Sequence, residues 1–258
     1  MITLKVCFFL FAFVGISSSA FVDNLHKCKI NNGDCERELV QSVIRDIAKT
    51  GVPELKIPPI DPIALKNVSI KVVDLIDFTI IEGTVKGIKD CVVDKFVTDV
   101  EKEKAFMELT CDITLKARYK VFSNSPLIKT FLGGETVHGD GNLKVKIEKI
   151  HIRFDYFFYI QKRADEIYIK CKRNKTIYDY SILGNLNVQV DNLYLGKQES
   201  SQMIADLINQ NWKLLIPSFG KPFMDTAMEF VYEFVHKFFD NVPLKHYILD
   251  DVSQYARE

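Results

Sequence analysis

Histidines and motif residues are the first place to look for chemistry in this 258-residue chain. The five histidines are scattered along the sequence and lack the spacing of metal ligands, so we predict no metal site. The GxSxG, HExxH, phosphate-loop and dinucleotide-binding motifs do not occur in the sequence. Catalytic triads assemble in space, so missing motifs do not exclude catalysis, but no residue pattern here recommends an enzyme. We therefore predict a protein that is not an enzyme and needs no cofactor.

Cysteines are the second group that could do chemistry, and their spacing favours structural disulfides. Cys28 and Cys35 flank an Asn-Asn-Gly turn sequence at residues 31–33, so we predict a disulfide between them. Cys7 lies in an N-terminal segment that we expect to be removed, which leaves five cysteines. An odd number means that at least one cysteine stays unpaired or pairs between chains.

Cys91 and Cys111 support a separate hypothesis. Both lie equally far along the chain from Glu101, which falls in a charged turn signal at residues 101–104. A hairpin folded at this turn would set the two cysteines opposite each other and allow a second disulfide. The alternative is a pair of buried free thiols, which pack as small apolar side chains.

The first twenty residues have the pattern of a secretory signal peptide. A short basic start is followed by the apolar run Val6 to Ile16, and small residues precede a cleavage site after Ala20. A membrane anchor is the alternative, but eleven apolar residues are too few, because a spanning helix needs about 20. We therefore predict a signal peptide at residues 1–20 and a secreted, extracellular protein without stable membrane insertion.

Charge balance and sugar acceptor sequences agree with a secreted protein. Lys plus Arg and Asp plus Glu each number 34, so the basic excess that is typical of nucleic-acid-binding proteins is absent. Two Asn-x-Ser/Thr sequences begin at Asn67 and Asn174 and predict glycosylation if they are exposed. We expect no nucleic-acid partner.

Period-two alternation of apolar and polar residues predicts long antiparallel strands in the middle of the chain. Every odd-numbered residue from Ala105 to Val121 is apolar and most even-numbered ones are polar, which indicates one long, half-buried strand. A second strand pattern begins near Leu143, and its apolar parity switches after Glu148 and Lys149. A switch of this kind indicates a β-bulge, which bends a sheet.

Helical patterns lie on either side of these strands. Apolar residues at three- and four-residue spacing predict a short N-terminal helix that ends before Gly51. The same spacing recurs between Ser200 and Asn241 and predicts a long C-terminal helix, which Pro217 and Pro222 should bend or interrupt. A helix with so wide an apolar face must be buried against another element.

The order of these elements predicts an α+β fold. In this fold a long curved antiparallel sheet wraps round the long C-terminal helix, with the short helix at the N-terminus. No repeat, linker or charge block divides the sequence, so we predict a single domain over residues 21–258.

Five sequence features together resemble the takeout/juvenile hormone-binding protein family of insects. The resemblance spans nearly the whole chain after the predicted signal peptide. It rests on the Cys28-x6-Cys35 pair and on four segments in the same order, namely Ile57–Pro62, Gly83–Cys91, Leu207–Phe223 and Phe239–Ile248. The resemblance implies an internal hydrophobic tunnel between sheet and helix, and a secreted carrier of small lipophilic ligands such as juvenile hormone-like terpenoids, fatty acids or related lipids.

One departure from this family concerns Cys171. Juvenile hormone-binding proteins proper resemble this chain but carry a second disulfide that links the later sheet to the C-terminal helix. Cys171 could supply one end of that bridge, but no cysteine follows it in the sequence. The departure favours the takeout-like branch and puts juvenile hormone itself in doubt as the ligand.

Candidate ligand-binding residues come from the apolar helix faces and from the inward parity of the strands. Tyr119 and Tyr156 are the predicted polar contacts for a ligand, and the N-terminal helix face is predicted to gate a tunnel mouth. Each residue could equally belong to a packed core, and only the set indicates a cavity. The full set is Val40, Val43, Ile44, Ile47, Met107, Leu115, Tyr119, Phe154, Tyr156, Phe219, Phe223, Ala227, Phe230, Phe234 and Phe238.

Two other functions remain open from the sequence. One is a secreted protein-interaction or signalling factor with a core that side chains fill, which a spare thiol would suit if it paired between chains. The other is a secreted lipid hydrolase, which needs an activated nucleophile that no motif marks. No sequence pattern predicts whether a receptor or a second protein binds this molecule.

Overall fold

The computed structural model describes residues 20–131, 133–172 and 177–257. Nearly all of the predicted signal peptide and the second glycosylation sequence, at Asn174, lie outside the described residues. Among the residues described, no helix combines the length and the apolar character that crossing a bilayer requires.

Strands dominate the middle of the chain. In the described residues they number eleven and join through one hydrogen-bonded network, in which neighbouring strands run antiparallel except for the last, which pairs parallel with the fifth. The strands are β1 (Ile63–Val72), β2 (Ile76–Lys86), β3 (Val92–Asp99), β4 (Lys104–Ser123), β5 (Val137–Arg163), β6 (Glu166–Cys171), β7 (Ile177–Ile182), β8 (Leu186–Val190), β9 (Leu193–Leu195), β10 (Gln198–Glu199) and β11 (Ala256–Arg257).

Helices flank the strands in sequence. They are α1 (Ala20–Asp23), α2 (Gly33–Ile47), α3 (Pro126–Phe131), α4 (Ser201–Phe219) and α5 (Lys221–Asn241), and short 3-10 turns occur at Pro53–Leu55, Ile88–Asp90, Leu244–His246 and Ser253–Tyr255. The predicted long C-terminal helix is therefore two helices that meet at Gly220. Pro222 lies in the first turn of α5 and has no N–H to continue the hydrogen bonding of α4, which explains the break.

The two longest strands form the spine of the sheet, because β4 pairs with β5 along the whole length of β4. β5 has 27 residues, far more than an ordinary strand. The register shifts between Cys111 and Ile113, where Asp112 faces the two residues Glu148 and Lys149. The Lys149 N–H donates to the Asp112 carboxylate at 2.7 Å. The bulge therefore lies where the parity switch predicts it, and it bends both strands.

The sheet curves round the C-terminal helices. α4 packs against β8, and the Asn209 side chain fixes this contact by pairing with both the N–H (2.7 Å) and the carbonyl (2.9 Å) of Val188. α5 contacts both β1 and β6, which lie far apart in the strand order. One helix can meet both strands only if the sheet wraps round it, so the predicted α+β architecture is confirmed.

Two of the segments that carry the family resemblance are joined through Asp61. This side chain is 6% exposed, and its carboxylate accepts hydrogen bonds from the backbone N–H groups of Gly87 (3.1 Å) and Lys89 (3.0 Å). Asp61 belongs to the proline-rich connector before β1, and its two partners belong to the turn between β2 and β3. A buried carboxylate needs such donors, so both segments are held together by one side chain.

The N-terminal segment is tied to the C-terminal tail. Cys28 pairs with Ile248 in a parallel bridge, with hydrogen bonds from the Cys28 N–H to Tyr247 and from the Leu249 N–H to Cys28. Cys28 also forms a disulfide with Cys35 at the start of α2. These links close one end of the molecule against the large core cluster.

Cys91 and Cys111 form a second disulfide, across the β3–β4 hairpin. Val92 pairs with Thr110 in the strand register, so the cysteines occupy the next opposing positions. Cys171 is then the free cysteine of the part of the chain that the structure describes.

Candidate ligand-binding site

Apolar packing is not uniform along the inner face of the sheet. The inward residues of β4 are buried at its start, from Ala105 to Cys111, and again at its end, from Ala117 to Ser123. Between them, Ile113 and Leu115 are only half-buried although their parity points them inward. Their neighbours on the same face, Val85 of β2 and Val145 and Ile147 of β5, are also half-buried. We call these five residues, Val85, Ile113, Leu115, Val145 and Ile147, the central belt.

The helix face on the same side of the fold is also incompletely covered. Phe223, Ala227 and Phe230 repeat at spacings of four and three residues, so they share one face of α5. Phe230 is half-buried and packs with the cluster that contains Leu115. Ala227 is nevertheless exposed, although it lies between two residues that face the sheet. Ala227 is therefore not covered by the sheet, which is the exposure that open space between α5 and the sheet would produce.

Aromatic rings mark one border of this space. Phe223 meets Phe78 of β2 edge-on, with ring centroids 5.6 Å apart, and Phe78 stacks on Tyr119 at 5.8 Å. Phe219 is 40% exposed, so the predicted apolar stripe is least covered near the junction of α4 and α5. Apolar side chains that line open space are what a lipophilic ligand needs, because they remove it from water without offering charges.

Tyr119, predicted as a polar contact for a ligand, has a hydrogen-bond partner within the protein. Its side chain is 1% exposed, and its hydroxyl donates to the Asp191 carbonyl at 2.9 Å. Burial raises the pKa of the Tyr119 hydroxyl well above its usual value, and the negative charges of Asp191 and Glu199 act in the same direction. The hydroxyl therefore joins β4 to the loop before β9 and uses its one proton in this contact.

Tyr156 lies in the large core cluster at the other end of the sheet. Its ring packs edge-on against Phe154 at 5.4 Å. Burial raises the pKa of its hydroxyl far above the usual value, and the nearby Cys171 and Tyr232 groups add to the effect. Tyr156 therefore stays protonated and can act only as a neutral hydrogen-bonding group.

A polar cluster near Tyr156 was not predicted from the sequence. The Cys171 thiol interacts electrostatically with Tyr156 and Tyr247, and Tyr156 interacts in the same way with Tyr232. Burial raises the pKa of the Cys171 thiol to about 12, helped by the charge of Asp240. Sequence patterns could not find the cluster, because its members lie on β6, α5 and the C-terminal tail.

The remaining residues that were predicted to bind a ligand lie either in the packed core or on the partly exposed face of α5. Val43, Ile44 and Ile47 of α2 are buried in the large core cluster, Val40 packs at its edge, and Gln41 ties the helix to Cys91 and Val93 through hydrogen bonds of 2.9 Å. α2 therefore closes one end of the molecule as a packed helix. The same cluster includes four other predicted residues, namely Met107, Phe154, Phe234 and Phe238.

In the described part of the chain, one group of side chains has ligand atoms close enough together to hold a metal ion. His26, Cys28 and Cys35 offer three potential ligand atoms within 4.8 Å of one another. Both sulfurs are joined in a disulfide, so they have no thiolate to donate to a metal ion. The arrangement is structural and does not fit a metal site.

Asn67, the glycosylation candidate within the described residues, lies in β1. Its side chain is exposed, as a sugar acceptor must be. It interrupts the pairing between β1 and β2, where Lys66 faces Glu82 and Val68 faces Ile80. The local backbone has a positive φ of 52°, which turns the side chain out of the regular strand pattern.

Comparisons with known proteins give a family and a fold. The profile of the haemolymph juvenile hormone binding protein (JHBP) family matches residues 7–249. The crystal structure of Epiphyas postvittana Takeout 1 superposes with a TM-score of 0.75 at 24% sequence identity, covering 87% of this chain and 100% of that chain. No curated protein matched the chain in a sequence comparison.

Proposed function

Because this chain belongs to the haemolymph juvenile hormone binding protein family, we propose that it is a secreted carrier that sequesters a small lipophilic ligand in an internal hydrophobic tunnel. The family consists of binding proteins, so membership supports a carrier of lipophilic molecules over an enzyme. The tunnel, the ligand and secretion are the parts of this function that we infer.

The single observation that carries the proposal is the exposure of Ala227. It lies on an inward helix face between Phe223 and Phe230, opposite the half-buried central belt. Packed interiors leave few voids larger than a water molecule, so a run of uncovered inward residues favours a binding space. Sequestering about 300 Å² of apolar ligand surface would contribute about 7.5 kcal/mol before the costs of binding.

Ligand class follows from the chemistry of the lining. The central belt and the facing helix residues are apolar and offer no charge to a ligand. Terpenoids, fatty acids and related lipids suit such a surface through their hydrocarbon parts. No cysteine follows Cys171, so we place the chain with the takeout-like members of the family.

A titration with a fluorescent lipophile tests the proposal. Phe230→Asp would put a charge into the apolar space, and we expect it to abolish uptake while the protein is still secreted and folded. Leu207→Asp is the matched control, because Leu207 is 58% exposed on α4. Since Phe230→Asp could fail to fold, Phe230→Ala provides a second variant, with weakened uptake expected. Unchanged uptake in folded Phe230 variants would refute the assignment, and a wild-type protein that takes up no lipophile would favour an interaction factor with a filled core.

A further inference from the structure

Helix α4 carries apolar side chains on the face that points away from the sheet. Met203, Leu207 and Leu214 are 54%, 58% and 77% exposed, and Leu214 is the most exposed large apolar side chain among the described residues. Their spacings of four and seven residues place them on one side of the helix, because seven residues make about two turns. Single apolar side chains on a surface are ordinary, but an aligned row of them indicates an interaction surface.

The opposite face of α4 already has its partners within the protein. Ala205 and Trp212 are buried there, and the Trp212 indole N–H donates to the Asn185 side chain at 3.2 Å. The Asn209 side chain pairs with the backbone of Val188, as described above. The exposed apolar residues therefore cannot turn inward without breaking these contacts.

The exposed face has the spacing of a helix-to-helix contact. Met203, Leu207, Gln210 and Leu214 follow one another at intervals of four, three and four residues, and we call these four residues the outer stripe. Alternating intervals of three and four residues are the pattern by which two helices pack side by side along a seam. A second helix with the same pattern would therefore fit against the outer stripe.

The two charged side chains of α4 both lie beside this stripe. Asp206 and Lys213 are exposed and seven residues apart, so they occupy the same flank of the helix, about two turns from each other. The Asp206 carboxylate accepts a hydrogen bond from the Gln202 side chain at 2.9 Å, and the Lys213 ammonium lies 5.5 Å from the centre of the Trp212 ring. Neither has an ion-pair partner among the described residues, so the flank offers one charge of each sign to a partner.

A second copy of α4 that runs antiparallel matches this charge pattern. Two-fold symmetry brings the same flank of each helix face to face, so Asp206 of one copy meets the partner's Lys213. The reverse pair forms at the other end of the contact. A parallel arrangement would instead set this flank against the opposite one, which carries the uncharged residues Asn211 and Ser218.

The apolar contacts follow from the same antiparallel alignment. Met203 faces the partner's Leu214, and Leu207 faces the partner's Gln210. Each pair occurs twice, because the interface is built from the same surface on both copies. The two most exposed apolar residues of the outer stripe, Leu207 and Leu214, are therefore both covered.

We propose that α4 forms a symmetric interface between two copies of this protein, through the outer stripe and two reciprocal Asp206–Lys213 ion pairs. A contact built on one helix is small, so we expect a weak dimer that forms at micromolar or higher concentrations. The outer stripe lies on the side of α4 that faces away from the sheet. The inference therefore goes beyond the proposed carrier function and does not depend on it.

Charge reversals at the two flank residues test the dimer. Sedimentation equilibrium of the whole secreted protein, at about 10 to 300 µM, should show a mixture of monomer and dimer that shifts with concentration. Asp206→Lys and Lys213→Asp each set like charges opposite one another, so we expect each variant alone to dimerise at least about tenfold more weakly. An equimolar mixture of the two variants restores both ion pairs and should dimerise within about threefold of the wild type.

Two further variants test the apolar contact and the specificity of the effect. Leu214→Glu places a charge in the outer stripe and should abolish the dimer. Glu229→Lys is the matched control, because it reverses a charge at an exposed position of α5, and it should dimerise like the wild type. Circular dichroism and thermal melting at low concentration should show that every variant is folded, since all of these side chains are exposed.

Several results would overturn the inference. One is a wild-type protein that stays monomeric at the highest concentration, and another is a mixture of the two charge variants that associates no better than either alone. A monomeric wild type that floats with vesicles of phosphatidylcholine and phosphatidylserine would assign the outer stripe to a lipid surface instead. None of these results bears on ligand uptake, so the carrier function stands or falls by its own titration.

Discussion

Phe223 of α5 meets Phe78 of β2 edge-on, at 5.6 Å between ring centroids, yet 38% of the Phe223 surface remains exposed. An aromatic ring that packs against the sheet would normally be covered by its neighbours. Ala227, which follows it on the same face of α5, and Phe219, at the end of α4, are also exposed. In the proposed carrier, this contact forms one wall of a gap between α5 and the sheet.

Filling that gap should block ligand uptake. Ala227→Trp adds a large apolar side chain where the helix face is open, so we expect at least a tenfold loss of affinity for lipophiles with little change in stability. Glu229→Trp is the matched control, because Glu229 is exposed on another face of the same helix. Titration with a fluorescent lipophile and thermal melting measure the two effects. Tight binding by a folded Ala227→Trp variant would contradict the placement of the ligand against α5.

Loss of the Asp61 carboxylate should destabilise the whole fold. Asp61→Ala leaves the N–H groups of Gly87 and Lys89 without their acceptor, and we expect a loss of about 3 kcal/mol in the free energy of unfolding. Urea denaturation measures it, with Glu82→Ala as the control at an exposed carboxylate of β2. If the two variants were equally stable, Asp61 would not be the link between the connector and the β2–β3 turn.

The hairpin disulfide should appear in the unreduced protein. A digest without reduction should recover one joined peptide that contains Cys91 and Cys111, whose sequence separation is 20. Replacing both residues by Ala should lower the free energy of unfolding by about 3 kcal/mol, because a closed loop of this length restricts the unfolded chain. Separately alkylated Cys91 and Cys111 peptides from the native protein would disprove the bridge.

Glu36 should make stability fall as the pH rises from acid to neutral. Burial raises the pKa of this carboxyl above its usual value, although hydrogen bonds from Thr98 and Asn31 oppose the effect. The folded state therefore holds the proton more tightly than the unfolded state, and this contribution is complete at low pH and lost as pH rises through the folded pKa. Each pKa unit of the difference corresponds to about 1.4 kcal/mol.

Glu36→Gln removes the titrating group and keeps its size. We expect this variant to melt at a higher temperature than the wild type at pH 7, and at a similar temperature near pH 3, where Glu36 is protonated in both states. Exposed Glu38 provides the control as Glu38→Gln, which should change neither value. Equal melting temperatures of Glu36→Gln and wild type at pH 7 would show that the Glu36 carboxylate is not penalised by burial.

Sequence patterns predicted the long elements because their periodicity follows directly from burial. The bulge at Glu148 and Lys149 shows this, since an inserted residue must shift every later side chain to the other face. The break between α4 and α5 was equally predictable from Pro222, which cannot donate a backbone hydrogen bond. Both features depend only on local residue order.

Sequence patterns could not predict the site at the level of single residues. Helical spacing marks Ala227 as inward and strand alternation marks Met107 as inward, but Ala227 is exposed and Met107 is buried. Tyr119 and Tyr247 are both buried tyrosines, and only the fold decides that the Tyr119 hydroxyl donates to Asp191 while the Tyr247 hydroxyl has no hydrogen-bond partner among the described residues. Such differences depend on how elements far apart in sequence approach one another.

The carrier proposal is tested most directly by native mass spectrometry of the secreted protein, followed by organic extraction of any molecule that co-purifies. We expect a mass above that of the polypeptide and any attached sugars by one small molecule, and an extract that contains a lipophile in stoichiometric amount. A protein mass without an added molecule, together with no uptake of offered terpenoids, fatty acids, esters or quinones, would contradict the account.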